Sequence, residues 1–203
     1  MSHRSTHAAA FALAGLMTLT PAFAWQNQGT TTAPQTRSQS GNQEQGALSP
    51  QDRKFVTEAA QGGMMEVELG RLASERASNA EVKAFGRRMV EDHTAANEKL
   101  KQVAKERSLT LPTEMTAEQK QERDHLSRAT GAEFDRMYMS HMVKDHQKDV
   151  SEFEKQTQKG EDAGVRSFAQ QTLPTLREHL QMAQQVASTV GADHGNHSGH
   201  SGH

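Results

Sequence analysis

The chain has 203 residues, with 23 Lys and Arg against 25 Asp and Glu, a formal charge of −2, 11 His and no Cys. The lack of Cys excludes a disulfide framework, a zinc–thiolate site and a cysteine nucleophile, and the near-neutral balance argues against the basic face that a nucleic-acid binder needs. Aromatics at 4% and few β-branched residues disfavour a β-sandwich, while abundant Ala, Leu, Glu, Gln, Lys and Met favour helices.

The N-terminus carries Arg4, then an apolar run from Ala8 to Leu19 too short for a membrane span, then Ala22-Phe23-Ala24 after Pro21. This is the pattern of a signal peptide over 1–24, cleaved near Ala24. The mature protein is therefore expected to be periplasmic or secreted, without a transmembrane segment. Residues 25–48, rich in Gln, Thr, Ser, Gly and Asn, read as a disordered polar linker.

The folded domain is expected over 49–190. Ser49-Pro50 starts the first long helix, Ser as N-cap and Pro at the first helical position. Its stripe runs Phe55, Ala59, Gly62/Gly63, Glu66, Leu69/Gly70 and Ala73. Ser78 to Glu81 has the spacing of a capping box. The second helix carries Val82, Phe85, Met89, His93, Ala96, Leu100 and Val103 at helical period, ending near Arg107 ahead of Pro112. A short charged helix follows over 116–129. A second capping-box spacing, Thr130 to Glu133, opens the third long helix, with Phe134, Tyr138, Met142, His146, Val150 and Phe153. Gly160 suits its C-terminus. The fourth carries Val165, Phe168, Thr172, Leu176, His179, Ala183 and Val186, with Pro174 inside it expected to kink it or place a local defect there. The fold is all-α: a four-helix bundle with an extra short helix between helices 2 and 3. The tail, 191–203, is flexible, and His194, His197, His200 and His203 recur at every third residue, a spacing able to wrap copper, nickel or zinc.

One polar group interrupts each inner stripe: Glu66, His93, His146 and His179. The midpoint of Glu66 and His93 falls in the Ser78–Ala80 turn, and that of His146 and His179 falls in the 160–164 turn, so each pair is level within its hairpin. The two pairs differ in height by only about 3 Å at 1.5 Å per residue, which places all four in one layer if the hairpins are in register. MVEDH at 89–93 recurs as MVKDH at 142–146, suggesting internal duplication or a shared structural demand. If the 108–131 segment crosses the bundle, helices 2 and 3 run parallel and Met89, Met142 and Met182 lie on one side of the layer, either as ordinary core filler or as a setting that would suit copper(I). Buried imidazoles without partners are costly. Two solutions stay open: a metal on Glu66, His93, His146 and His179, or a purely structural layer in which Asp92 and Asp145 pair the histidines. The two aspartates are alternatively ligands themselves. His141 is a peripheral candidate, and His125 reads as surface.

The segments FVTEAAQGGMMEVELGRLA (55–73), VKAFGRRMVEDHTAANEKL (82–100), GAEFDRMYMSHMVKDH (131–146) and FAQQTLPTLREHL (168–180) resemble the secreted bacterial family catalogued as domain of unknown function 4142. The resemblance spans almost all of 52–188. It implies a ferritin-like bundle, a periplasmic or outer-membrane-associated location and no established activity, with recurrent polar positions at Glu66, Asp92, His93, Asp135, Tyr138, Asp145, His146 and His179. Di-iron ferritin-like enzymes carry a Glu-x-x-His on each of two helices; here Val90, Val143 and Leu176 stand three residues before the histidines, so oxygen-activating chemistry does not carry over. The expected function is non-catalytic: transition-metal binding (copper, zinc, iron or nickel) in the core and tail, for storage, buffering or stress tolerance. The alternative is a metal-free structural or interaction module with an envelope protein partner. A metal-dependent enzyme is the remaining reading.

Overall fold

The structure, a computed structural model, describes residues 47–192. Five helices occupy them: α1 (Pro50–Arg76), α2 (Ala80–Glu106), α3 (Ala117–Leu126), α4 (Gly131–Lys159) and α5 (Ala163–Val190), with no strand among the described residues. The four long helices make the expected bundle, and α3 is the extra short helix. The expected signal sequence, the expected linker up to residue 46 and His194, His197, His200 and His203 lie outside the described residues. Leu48 is already buried in the core, just ahead of the Ser49 cap, whose side chain accepts from the Asp52 amide.

The helices pack most extensively within two hairpins, α1–α2 and α4–α5; α1 then lies beside α4, and α2 beside α5. Arg107, at the end of α2, pairs with Asp162 at the start of α5, and Ser78, between α1 and α2, meets Asp135 at the start of α4. The segment after α2 therefore travels the length of the bundle before α4 begins. α2 and α4 run parallel, and each of the four long helices is antiparallel to the two long helices beside it.

Two buried aspartates join the hairpins reciprocally. Asp52 on α1 accepts from the backbone amides of Glu161 at 3.1 Å and Asp162 at 2.8 Å and from the Gln156 side chain. Asp135 on α4 accepts from the amides of Ser78 at 3.0 Å and Asn79 at 2.8 Å and from the Ser78 hydroxyl. One constant offset in the numbering carries Asp52 to Asp135, Asn79 to Asp162, Val82 to Val165, Phe85 to Phe168 and Ala104 to Ala187. It also carries the spans of α1 and α2 onto those of α4 and α5 to within two residues. The hairpins are thus related by a pseudo-twofold. The MVEDH and MVKDH repeat obeys a different offset. It falls on the parallel helices α2 and α4, which the pseudo-twofold does not exchange, and so reflects shared placement at the polar layer.

Several local expectations are corrected. Ser78 is committed to Asp135, so no capping box forms with Glu81; Asn79 is the N-cap of α2 and accepts from the amides of Glu81 and Val82. Thr130 makes no side-chain cap bond for α4, whereas Thr116 and Gln119 form a full capping box on α3. Gly160 has φ −61°, not a left-handed conformation; a Cβ there would lie 2.4 Å from the Gln156 side chain, so close approach is the reason for glycine. Pro174 lies inside α5, as expected, and does not end it; one turn back the Thr172 hydroxyl donates to the Phe168 carbonyl at 2.8 Å. Between α1 and α2 the backbones touch: a Cβ on Gly70 would stand 2.7 Å from the Gly86 carbonyl oxygen, and the converse holds for Gly86.

The apolar interior is in two parts. One, toward the Ser78 end, gathers Leu69, Val82, Phe85, Met89, Phe134, Tyr138, Met139 and Met142. The other, toward the Asp162 end, gathers Phe55, Val56, Leu100, Phe153, Val165, Phe168 and Leu176. The buried Glu66, His93, His146 and His179 lie between them along the helices.

Candidate metal centre

The polar layer exists because the hairpins are in register. His93 on α2, His146 on α4 and His179 on α5 each place one ring nitrogen within 4.8 Å of the other two. The ring centroids stand 5.3 Å (His93–His179), 5.3 Å (His146–His179) and 5.8 Å (His93–His146) apart. Three imidazoles on a tetrahedral ion with bonds of about 2.0–2.1 Å would stand about 5.2 Å apart, so the rings are nearly at ligating distance.

The hydrogen bonds leave a free nitrogen on each ring. His146 Nδ1–H donates to the Met142 carbonyl at 2.9 Å, one turn back on α4. His179 Nε2–H donates to Asp92 Oδ2 at 2.8 Å. Asp92 is itself held by Arg88. Burial works to raise the Asp92 pKa, but the bonds from Arg88 and His179 outweigh it and keep the carboxyl below its usual range. His146 Nε2, His179 Nδ1 and His93 Nε2 are buried with no hydrogen-bond partner. Metal-ligating histidines typically donate the other ring N–H to a carboxylate or backbone carbonyl in this way. All three stay neutral: burial pulls His93 well below the usual histidine range, with His146 and His179 adding to the effect. Burial and His179 lower His146 to about 4, and burial lowers His179 although Asp92 opposes it. A neutral imidazole is the ligating form.

Glu66 parts from the histidines and joins a second group. Its Oε1 lies 3.7 Å from His146 Nδ1, beyond a hydrogen bond. One oxygen each from Glu66, Asp145 and Asp149 lies within 4.8 Å of the others. Burial pushes the Glu66 carboxyl well up, and Asp145 and Asp149 push it further; burial and Asp145 do the same to Asp149. Tyr138 is buried without a partner for its hydroxyl, its pKa raised by burial and by the charge of Glu66. The expected set therefore divides: three histidines in one cluster, Asp92 behind His179, Asp145 with Glu66. His141 turns away toward Glu122 of α3, 3.4 Å distant, and His125 is exposed.

A cleft of about 970 Å³ opens between α1 and α4, lined among others by Gly62, Gly63, His93, Asn97, Asp145 and Asp149. Within the imidazole cluster His93 is 6% exposed against 0% for His146 and 1% for His179, so solvent approaches the cluster from the side of His93. Sequence reasoning missed Asp149. Beside Lys148 it reads as part of a solvated face, and its one signal is the numerical offset that matches it to Glu66.

The profile of the family described as Domain of unknown function (DUF4142) matches residues 37–186. Two crystal structures share the fold. A DUF305 fragment from Deinococcus radiodurans has a TM-score of 0.62 at 16% identity, covering 71% of this chain and 99% of that one. A putative secreted DUF305 protein from Streptomyces coelicolor has a TM-score of 0.61 at 13% identity, covering 72% of this chain and 98% of that one. No curated protein sequence matches the chain.

Proposed function

The chain belongs to the family of domain of unknown function 4142, and from that premise we propose that it is a non-catalytic binder of a transition-metal ion, held in the bundle by His93, His146 and His179. One observation carries this reading: three buried imidazoles on three helices converge, each with an unpartnered nitrogen. An unsatisfied buried polar atom costs about 1–3 kcal/mol, and one ion accepting three lone pairs would offset that cost at all three. Imidazole donors favour zinc, copper, nickel and iron over magnesium or calcium. Met89, Met142 and Met182 lie on the Ser78 side of the layer, about one turn from the histidines, as the parallel course of α2 and α4 requires; soft sulfur near the ion favours copper among the four.

The expected setting is the periplasm or the secreted medium, reached by the signal sequence over 1–24, and the role is storage, buffering or stress tolerance. His194, His197, His200 and His203 would serve as a collecting tail. Among the described residues no helix is long and apolar enough to cross a membrane.

The test is ion stoichiometry of the full chain against a variant with His93, His146 and His179 all replaced by Ala, after exposure to copper, zinc, iron and nickel. The tail is common to both proteins, so the variant should hold one ion fewer per chain. Equal stoichiometry, with a melting temperature indifferent to chelator, would instead make the layer structural and the protein an envelope interaction module.

A further inference from the structure

The second cluster has a different chemistry from the first. Glu66, Asp145 and Asp149 supply only oxygen, and they come from the two helices that bound the cleft. Glu66 is 1% exposed, and neither of its oxygens has a hydrogen-bond partner. Among the described residues no Lys or Arg forms an ion pair with any of the three; the nearby Lys148 pairs with Glu152 at 3.9 Å. His146 cannot serve as a counter-charge, because it is neutral and its Nδ1–H is given to Met142. The pseudo-twofold adds an independent observation, for the offset that exchanges Asp52 with Asp135 also exchanges Glu66 with Asp149. The two carboxylates therefore face each other from α1 and α4 as equivalents, with Asp145 completing the group one turn before Asp149.

Glu66 is enclosed beside two half-buried carboxylates, a setting that calls for protons or a cation. Protons on the carboxyls would quench charge but would still leave the buried Glu66 oxygens without a donor. A divalent ion would use one oxygen from each residue and take its remaining ligands as water from the cleft. Oxygen-only donors with open positions suit ions that bind carboxylates and retain water.

We propose that Glu66, Asp145 and Asp149 form a second cation site, separate from the imidazole cluster, for a divalent ion of the manganese, magnesium or calcium class loaded through the α1–α4 cleft. Asp145 and Asp149 line the cleft and receive the ion, while Glu66 holds it against the polar layer. The site stands or falls independently of the imidazole cluster, because the two share no ligand.

The experiment is a Mn²⁺ titration followed by electron paramagnetic resonance, on the full chain first saturated with Zn²⁺ to fill the imidazoles and the tail. One bound Mn²⁺ per chain, displaced by Ca²⁺ or Mg²⁺, is the expected result. Asp149→Asn and Glu66→Gln, both close to isosteric, should each weaken Mn²⁺ at least tenfold while leaving the optical spectrum of Co²⁺ bound by the histidines unchanged. His146→Ala should give the converse, losing the Co²⁺ spectrum and keeping Mn²⁺. No Mn²⁺ bound by the Zn²⁺-loaded protein, or an affinity unaltered in both carboxylate variants, would overturn the proposal. Loss of the Co²⁺ spectrum in the carboxylate variants would overturn the independence of the two sites.

Discussion

The imidazole cluster and the carboxylate cluster sit against one another in the same layer, yet they are built to opposite specifications. The histidines are enclosed and neutral, and two are oriented by bonds to the Met142 carbonyl and Asp92. The carboxylates stand beside a cleft, crowd like charges together and have no Lys or Arg partner among the described residues. What separates them is which helices contribute. α2, α4 and α5 supply nitrogen; α1 and the cleft-facing side of α4 supply oxygen. A single polar layer can thus present two donor sets, and the boundary runs between Glu66 and His146, 3.7 Å apart.

The sharpest way to break this contrast is His146→Ala. It removes one of the three proposed imidazole ligands and should lower transition-metal affinity by more than about 100-fold, since losing an outer partner alone costs about 10–100-fold. Competition against a chromophoric chelator would measure it, and a change under threefold would mean the cluster is not the site. Asp92→Asn comes next. It keeps the shape but withdraws the charge behind His179, for an expected loss of about tenfold; unchanged affinity would assign Asp92 to the Arg88 pair alone.

Acid is the third probe, applied to chelator-treated protein. The folded pKa of His146 lies near 4, below its ordinary 6.5, so the unfolded chain takes up the proton first. Stability should be complete above about pH 6.5 and fall as the pH drops toward 4, which thermal melts across that window would follow. Glu66 has the opposite sign. Its folded pKa is raised, so its contribution is present at low pH and lost as the pH rises through the folded value. In metal-free protein at pH 8, Glu66→Gln should therefore raise the melting temperature by about 2–4 °C, the equivalent of about 1 kcal/mol in a domain of this size. A fall would show that Glu66 is stabilised as the anion.

The layer itself was legible in the sequence because hairpin turns make heights countable. Glu66 with His93, and His146 with His179, are level by their distance from the turn, and the helix rise fixes the rest. The parallel course of α2 and α4 was legible only as a condition on the path of residues 108–131. The division of the layer was not legible. Period places a residue on the inner stripe but does not say which neighbour its side chain meets, so Glu66 is grouped with the histidines and nothing in the pattern singles out Asp149. The aspartate contacts between hairpins were hidden for a related reason. Asp52 and Asp135 bond amides in turns far away in the chain, and such bonds leave no local pattern. The capping box expected at Ser78 failed because Asp135 claims that hydroxyl.

Those reciprocal aspartates also bear on what joining the two hairpins in one chain allows. Each hairpin reaches across with one carboxylate and has its own turn held by the other's, so the same residue gives and the same turn receives on both sides. A single hairpin bearing one such aspartate is therefore complementary to a second copy of itself. The pseudo-twofold of this chain is the symmetry such a homodimer would have, and the crossover that contains α3 is the covalent tether that makes the association permanent. Within one chain the two halves can differ at positions that the pseudo-twofold makes equivalent. His93 of α2 corresponds to Leu176 of α5, and Gly63 of α1 corresponds to His146 of α4. A symmetric dimer could have placed ligands only in identical pairs; a fused one can set three histidines and three carboxylates side by side.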